Sequence, residues 1–134
     1  MSSRLGATSI MADTDIYIDY LNGIQRIRRI LDSPHRRVFY STVTKKELLM
    51  KPGLSSTERG RIRMLLLKHR QIPVDERVAG RFSRLLGKYA KRGLRNADAL
   101  VAATAWSRKL PLLTNNTKHY AFISEINLIN PAEL

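Results

Sequence analysis

The feature that most limits what this chain can become is its alternation of short apolar runs with longer, helix-patterned stretches. Ser9-Ile10-Met11-Ala12, Val38-Phe39-Tyr40, Leu110-Pro111-Leu112-Leu113 and Asn127-Leu128-Ile129-Asn130 all read as short strands, and Gln71-Ile72-Pro73-Val74 as a further brief one. Strands that alternate with helices pair in parallel, because each helix carries the chain back to the edge where the next strand starts. The expected fold class is therefore α/β, with a central, mainly parallel sheet flanked by helices. With no internal repeat or linker, residues 1–134 read as one domain, residues 1–8 being a flexible lead-in.

Local signals place the helices. Thr14 or Asp15 can cap one that carries Ile16, Ile18, Leu21, Ile24, Ile27 and Leu31, and Asn22-Gly23 should split it in two. A helix from Ser41–Thr44 runs through Glu47 to Met50 and stops at Pro52-Gly53. Ser55 and Glu58 have capping-box spacing ahead of Ile62, Leu65, Leu66 and His69. Asp75 caps an amphipathic helix with Val78, Phe82, Leu85, Leu86 and Tyr89 on one face and Arg77, Arg81, Arg84, Lys88 and Lys91 on the other, ended by Gly93. Asn96 is read as the N-cap of a small-residue helix to Trp106, buried on most sides, with Asp98 in its first turn. Ala121-Phe122-Ile123 should finish a short helix.

Charge narrows the function classes. Twenty-four Lys and Arg against 11 Asp and Glu give a formal +13, a balance that favours polyanionic partners, nucleic acid first among them. The absence of cysteine excludes a disulfide framework and a cysteine zinc site, and fits a reducing cytoplasm. No apolar run approaches the roughly 18 residues that cross a bilayer, and the N-terminus has no signal-peptide pattern, so a cytoplasmic location is expected.

In a protein this basic, three acids stand out by position. Asp13 ends the first strand, Glu47 lies in the helix after the second, and Asp98 opens the helix before a later strand. In open parallel sheets functional groups gather at the carboxyl ends of strands and the adjoining helix starts, so these three can converge. Clustered carboxylates repel unless a cation sits between them, and hard oxygen ligands suit Mg²⁺ or Mn²⁺. Beside phosphates, such a site supports metal-assisted hydrolysis. Each acid also has a plain reading: a cap for Asp13, a surface or dipole partner for Glu47, a favourable first-turn charge for Asp98.

Four stretches resemble the ordered motifs of PIN-domain ribonucleases, the VapC-type toxins especially. They are Met11-Ala12-Asp13-Thr14-Asp15-Ile16-Tyr17-Ile18-Asp19-Tyr20-Leu21, Ser41-Thr42-Val43-Thr44-Lys45-Lys46-Glu47-Leu48, Asp98-Ala99-Leu100-Val101-Ala102-Ala103-Thr104-Ala105, and Leu112-Leu113-Thr114-Asn115-Asn116-Thr117-Lys118-His119-Tyr120. The resemblance spans about Ile10 to Ile129. It implies a PIN-like fold and an Mg²⁺- or Mn²⁺-dependent endoribonuclease, the toxin of a type II toxin–antitoxin pair. Asp13, Glu47 and Asp98 match the family's acidic metal positions, Asp13 and Asp98 as the most direct ligands and Glu47 acting through water or by positioning. Where many PIN domains carry a fourth acid this chain has Asn116, which adds no negative charge.

Thr14, Arg92, Arg95 and Thr114 are the candidate substrate contacts, while the stripe from Arg77 to Lys91 is weighed as a solvated face. His35, His69 and His119 are read as turn or surface residues, and Tyr17, Tyr20, Phe82 and Tyr89 as core or interface. The resemblance further implies a cognate antitoxin partner and a homodimer, for which Ile24, Ile27 and Ile30 are interface candidates. An alternative class is a non-catalytic RNA-binding module on the same fold; a ribosome- or chromatin-associated structural protein would explain the charge but not the four ordered motifs.

Overall fold

The computed structural model describes residues 8–134, so the lead-in expected over 1–8 lies, apart from Thr8, outside the described residues. Strand β1 (Ser9–Ala12) is central. It pairs in parallel with β2 (Arg37–Ser41) on one side and β4 (Leu112–Leu113) on the other. Strand β3 (Arg70–Ile72) lies outside β2 and β5 (Leu128–Ile129) outside β4, both parallel, giving the order β3-β2-β1-β4-β5. The chain winds outward from β1 in one direction as far as β3, then returns across β1 to β4 and continues the other way. The reversal falls between β1 and β4, and it is at such a switch point that a crevice opens beyond the carboxyl ends of the strands.

Period-two alternation along the strands distributes side chains to two cores. Ile10, Ala12, Val38, Tyr40, Leu113 and Ile129 enter one apolar cluster, with residues of α1 (Thr14–Leu21), α2 (Gln25–Leu31), α3 (Thr42–Leu49) and α4 (Ser56–Leu67). Met11 and Leu112 enter the other, with α5 (Glu76–Tyr89), α6 (Asn96–Arg108) and α7 (Thr117–Tyr120). Both faces being covered explains why the strands read as apolar runs rather than as alternating ones. Each fully buried Ile, Leu or Val contributes about 1.5–3 kcal/mol.

The expected break at Asn22-Gly23 is present: Gly23 takes a left-handed φ of 81° between α1 and α2, a conformation that costs a residue without a Cβ nothing. The capping box at Ser55–Glu58 and the Asp75 cap form as expected. Helix α6 is buried through Ala99, Ala102, Ala103 and Ala105, all fully inaccessible. Small side chains allow it to lie close to the sheet and to α5.

Several boundaries differ. The N-cap of α1 is Asp13, not Thr14 or Asp15. The N-cap of α6 is Arg95, without a side-chain cap bond, and Asn96 is already helical. Helix α7 stops at Tyr120, so Ala121–Ile123 lies in a turn. Pro73, which has no N–H for the sheet ladder, follows the last residue of β3. Ile27 and Ile30 are core residues rather than free interface candidates, leaving Ile24 exposed. Tyr17, Tyr20 and Tyr89 are buried and Phe82 is half-buried, in keeping with a packing role. Among the described residues no helix is long and apolar enough to cross a membrane.

Candidate active site at the sheet switch point

Asp13 follows the last residue of β1, and its two carboxylate oxygens do different work. Oδ1 accepts the Thr14 N–H at 2.9 Å, which caps α1. Oδ2 accepts the Thr114 hydroxyl at 2.9 Å and the Tyr120 hydroxyl at 3.1 Å. Thr114 follows β4 directly, so the pairing of β1 with β4 sets this contact. The plain reading of Asp13 as a cap is met by Oδ1, while Oδ2 is left to face Thr114 and Tyr120.

Asp98, in the first turn of α6, meets Asp13 across Tyr120, whose hydroxyl lies 3.4 Å from Asp98 Oδ1. The other oxygen of Asp98 faces Arg95 Nε at 3.5 Å and His119 Nδ1 at 3.9 Å. Asp13 is only 7% exposed, and among the described residues no Lys or Arg pairs with it. Burial pushes its carboxyl above the usual range, the Asp98 charge adds to that, and the three donated hydrogen bonds oppose it. Tyr120 is pushed up in turn, by burial first and then by the two acids, so it stays a protonated donor.

Glu47 on α3 reaches this group at one remove. Its Oε1 accepts the Thr14 hydroxyl at 2.7 Å, and that hydroxyl also lies 3.0 Å from Thr44 Oγ1. Thr44 is fully buried and its N–H is held by Ser41, the N-cap of α3. Asp13, Thr14 and Glu47 therefore form a chain of contacts rather than a three-carboxylate cage. Among the described residues, no three His, Cys, Asp or Glu side chains form a group that could hold a metal ion.

Residues outside the expected set complete the site. Asp15 Oδ2 accepts the Asn115 N–H at 3.0 Å, while its buried Oδ1 has no hydrogen-bond partner. Burial and the neighbouring Asp13 raise the Asp15 carboxyl to about 6. Asn115 Nδ2 donates to Asp19 Oδ2 at 2.8 Å. The amide of the fourth motif that engages acids is thus Asn115; Asn116 is exposed, does not cap α7 with its side chain, and donates its backbone N–H to Thr114 at 3.0 Å. The Asp15–Asp19 spacing of four, which puts both on one helix face, was the available signal for this pairing.

Of the expected substrate contacts, Thr114 is fully buried and its hydroxyl is engaged with Asp13, Asp15 and the Asn116 N–H, so it is not placed to touch a substrate directly. Thr14 is half-buried and committed to Glu47. Arg95 is 73% exposed, and Arg92 stacks over Phe122 with 5.0 Å to the ring centroid. Together with Lys118 and His119 they line an open depression beside Asp98. The stripe on α5 is partly engaged, since Arg81 stacks on Trp106 and Lys88 pairs with Glu125. His35 is exposed, and half-buried His69 contacts the Tyr17 hydroxyl at 2.8 Å.

The donor set fits a divalent cation: two carboxylates converge, Asp13 lacks a cationic partner, and a bare carboxylate oxygen is buried at Asp15. Mg²⁺ characteristically takes one or two carboxylates and completes its shell with waters and substrate phosphate oxygens, so a full cage is unnecessary. Asp13 and Asp98 are the residues that would hold it.

Fold and site together define an α/β protein with an acidic pair at a parallel-sheet switch point, set in a basic chain. The PIN domain family matches residues 10–123. Ribonuclease VapC10 of Mycobacterium tuberculosis is 30% identical over 121 residues, covering 87% of this chain and 90% of that protein. A toxin–antitoxin complex from Klebsiella pneumoniae contains a chain with 28% identity and a TM-score of 0.76, covering 93% of this chain and 99% of that one. VapBC2 from Rickettsia felis, solved bound to a DNA fragment from its promoter, superposes with a TM-score of 0.81 at 21% identity over 91% of this chain and 98% of that one, a likeness of fold. The chain belongs to the PIN-domain family, among its VapC-type ribonucleases.

Proposed function

We propose that this chain is an endoribonuclease toxin that hydrolyses RNA phosphodiester bonds with a divalent cation, Mg²⁺ or Mn²⁺, held by Asp13 and Asp98. The observation that carries this reading is the meeting of those two acids at one tyrosine hydroxyl in a protein of formal charge +13. A cation held there would supply a water activated for in-line attack and would offset the charge that develops on the phosphate. The chain's own residues do the rest. Thr14, Thr114 and Tyr120 fix the Asp13 carboxylate, and Glu47 orients Thr14. Arg95, Lys118 and Arg92 border the depression beside Asp98, where they bind and orient the RNA backbone. A cognate antitoxin as partner is supported by the toxin–antitoxin complex from Klebsiella pneumoniae, and a homodimer by the family resemblance alone.

The test is cleavage of RNA by purified protein with Mg²⁺ or Mn²⁺, with and without chelator, beside Asp13→Asn and Asp98→Asn. Metal-dependent cleavage lost in both variants is expected; equal cleavage by all three proteins would point to a contaminant and defeat the assignment. RNA binding without cleavage would favour the non-catalytic module, a reading that draws on the commitment of Glu47 to Thr14 and on the amide at Asn116.

A further inference from the structure

We infer that Tyr120 is a positioning residue whose hydroxyl holds Asp13 and Asp98 together as a preformed cation site. The inference rests on the reading that these two acids hold a divalent cation, and it extends the part played by Tyr120 from fixing Asp13 to setting the spacing of both acids. One phenolic proton cannot satisfy two acceptors fully, yet the hydroxyl stands 3.1 Å from Asp13 Oδ2 and 3.4 Å from Asp98 Oδ1. It thereby sets the spacing of two like charges that would otherwise separate. The geometry is held from behind. The Tyr120 side chain is 2% exposed and belongs to the same apolar cluster as Met11, Leu112 and Ile123, so its hydroxyl has little freedom to move. Met11 and Leu112 are paired in the two strands that meet at the switch point, so the tyrosine packs directly behind the strand ends that carry Asp13 and Thr114. An ion entering such a site finds its ligands already placed, which lessens the reorganisation that binding would otherwise require.

The experiment measures Mn²⁺ binding by calorimetry and by the paramagnetic signal of the ion, on wild type, Tyr120→Phe and Tyr20→Phe. Tyr20 is the control, because its hydroxyl donates to a carboxylate away from the site, Asp32 Oδ1 at 2.6 Å. Tyr120→Phe is expected to raise the Mn²⁺ dissociation constant about 10–100-fold and Tyr20→Phe to leave it unchanged. A change of less than about fivefold in Tyr120→Phe, or an equal loss in Tyr20→Phe, overturns the inference. Thermal denaturation in chelator runs in parallel: a lowered midpoint in Tyr120→Phe with unaltered Mn²⁺ affinity means a merely structural hydroxyl and also overturns it. As a second measurement, wild type labelled with 3-fluorotyrosine is titrated with Mg²⁺. The resonance missing from the Tyr120→Phe spectrum should shift and saturate with the binding curve; an unmoved resonance counts against the inference. Failure of the wild type to bind either ion brings down the cation reading itself, an outcome distinct from wild-type binding that Tyr120→Phe leaves intact.

Discussion

Two tyrosine–carboxylate clusters in this molecule use the same side chains to opposite ends. On the flank of α5, the Tyr89 hydroxyl donates to Glu125 Oε1 at 2.6 Å while Lys88 Nζ meets the other oxygen at 2.7 Å. The Glu125 carboxyl ends below its usual range: burial raises it, but Lys88 and Tyr89 more than offset that. At the switch point, Tyr120 donates to Asp13 and no lysine or arginine among the described residues pairs with that acid, so burial prevails and its carboxyl rises. The first cluster carries its own cation and is complete. The second is built to the same plan with the cation left out, in a chain that has 24 Lys and Arg available. A buried charge left without a counter-charge costs stability, and such a cost points to a site where function outweighs it.

The largest effect should come from exchanging charge at each cluster in turn. On the proposed cation reading, Asp98→Asn is expected to reduce RNA cleavage on the order of 10³-fold, since several kcal/mol of transition-state stabilisation would depend on the ion. The same variant should leave the denaturation midpoint unchanged or raise it slightly, because it removes a charge that repels Asp13. Glu125→Gln should do the reverse, lowering the midpoint while cleavage holds. If Glu125→Gln impaired cleavage as severely as Asp98→Asn, the contrast between the two clusters would be wrong.

A smaller effect follows from the hydroxyl alone. Tyr89→Phe removes a hydrogen bond to a charged acceptor, worth about 1.5 kcal/mol, which lowers the midpoint by roughly 4 °C in a domain of this size. Mn²⁺ affinity should not respond. Calorimetry and a thermal melt on one preparation decide it, and a change in affinity would show that the α5 flank is coupled to the site.

The two clusters also differ in how far they could be read from the sequence. The sheet was legible because each apolar run is short and bounded by turn residues. Asp13 and Asp98 were legible because one ends a strand and the other opens a helix, and the order of motifs tied them to a family. What escaped was decided by packing. Tyr120 appears in the sequence only as the end of a motif, and its hydroxyl gains meaning once β1 and β4 are neighbours. Thr114 was legible as polar but not as fully buried, since nothing local to Thr114-Asn115-Asn116 says which side chain turns inward. Ile27 and Ile30 failed as interface candidates for the same reason: periodicity marks an apolar face but does not say what covers it.

The smallest effect tests burial at the Tyr17–His69 pair, where desolvation outweighs the opposing Leu31 hydrogen bond and Asp32 charge. His69 Nδ1 lies 2.8 Å from the Tyr17 hydroxyl, and burial lowers its pKa from 6.5 to about 4. The folded state then binds fewer protons than the unfolded state between those two values. Stability from this residue is therefore complete above pH 6.5 and is lost as pH falls toward 4. Asp15 acts in the opposite sense, because its carboxyl is raised from 3.8 to about 6 and the folded state holds the extra proton, so its contribution declines as pH rises through that window. The two slopes oppose each other, and the whole protein should show a shallow acid limb. His69→Gln removes one slope and leaves the other. The difference in stability between wild type and variant should grow with pH from about 4 to 6.5, by roughly 1 kcal/mol once the partial exposure of the ring is discounted. Denaturant melts at intervals across that range measure it. A difference that stays flat with pH would mean that the ring remains solvated enough to titrate normally, and that burial alone does not suffice to shift a group beside a tyrosine.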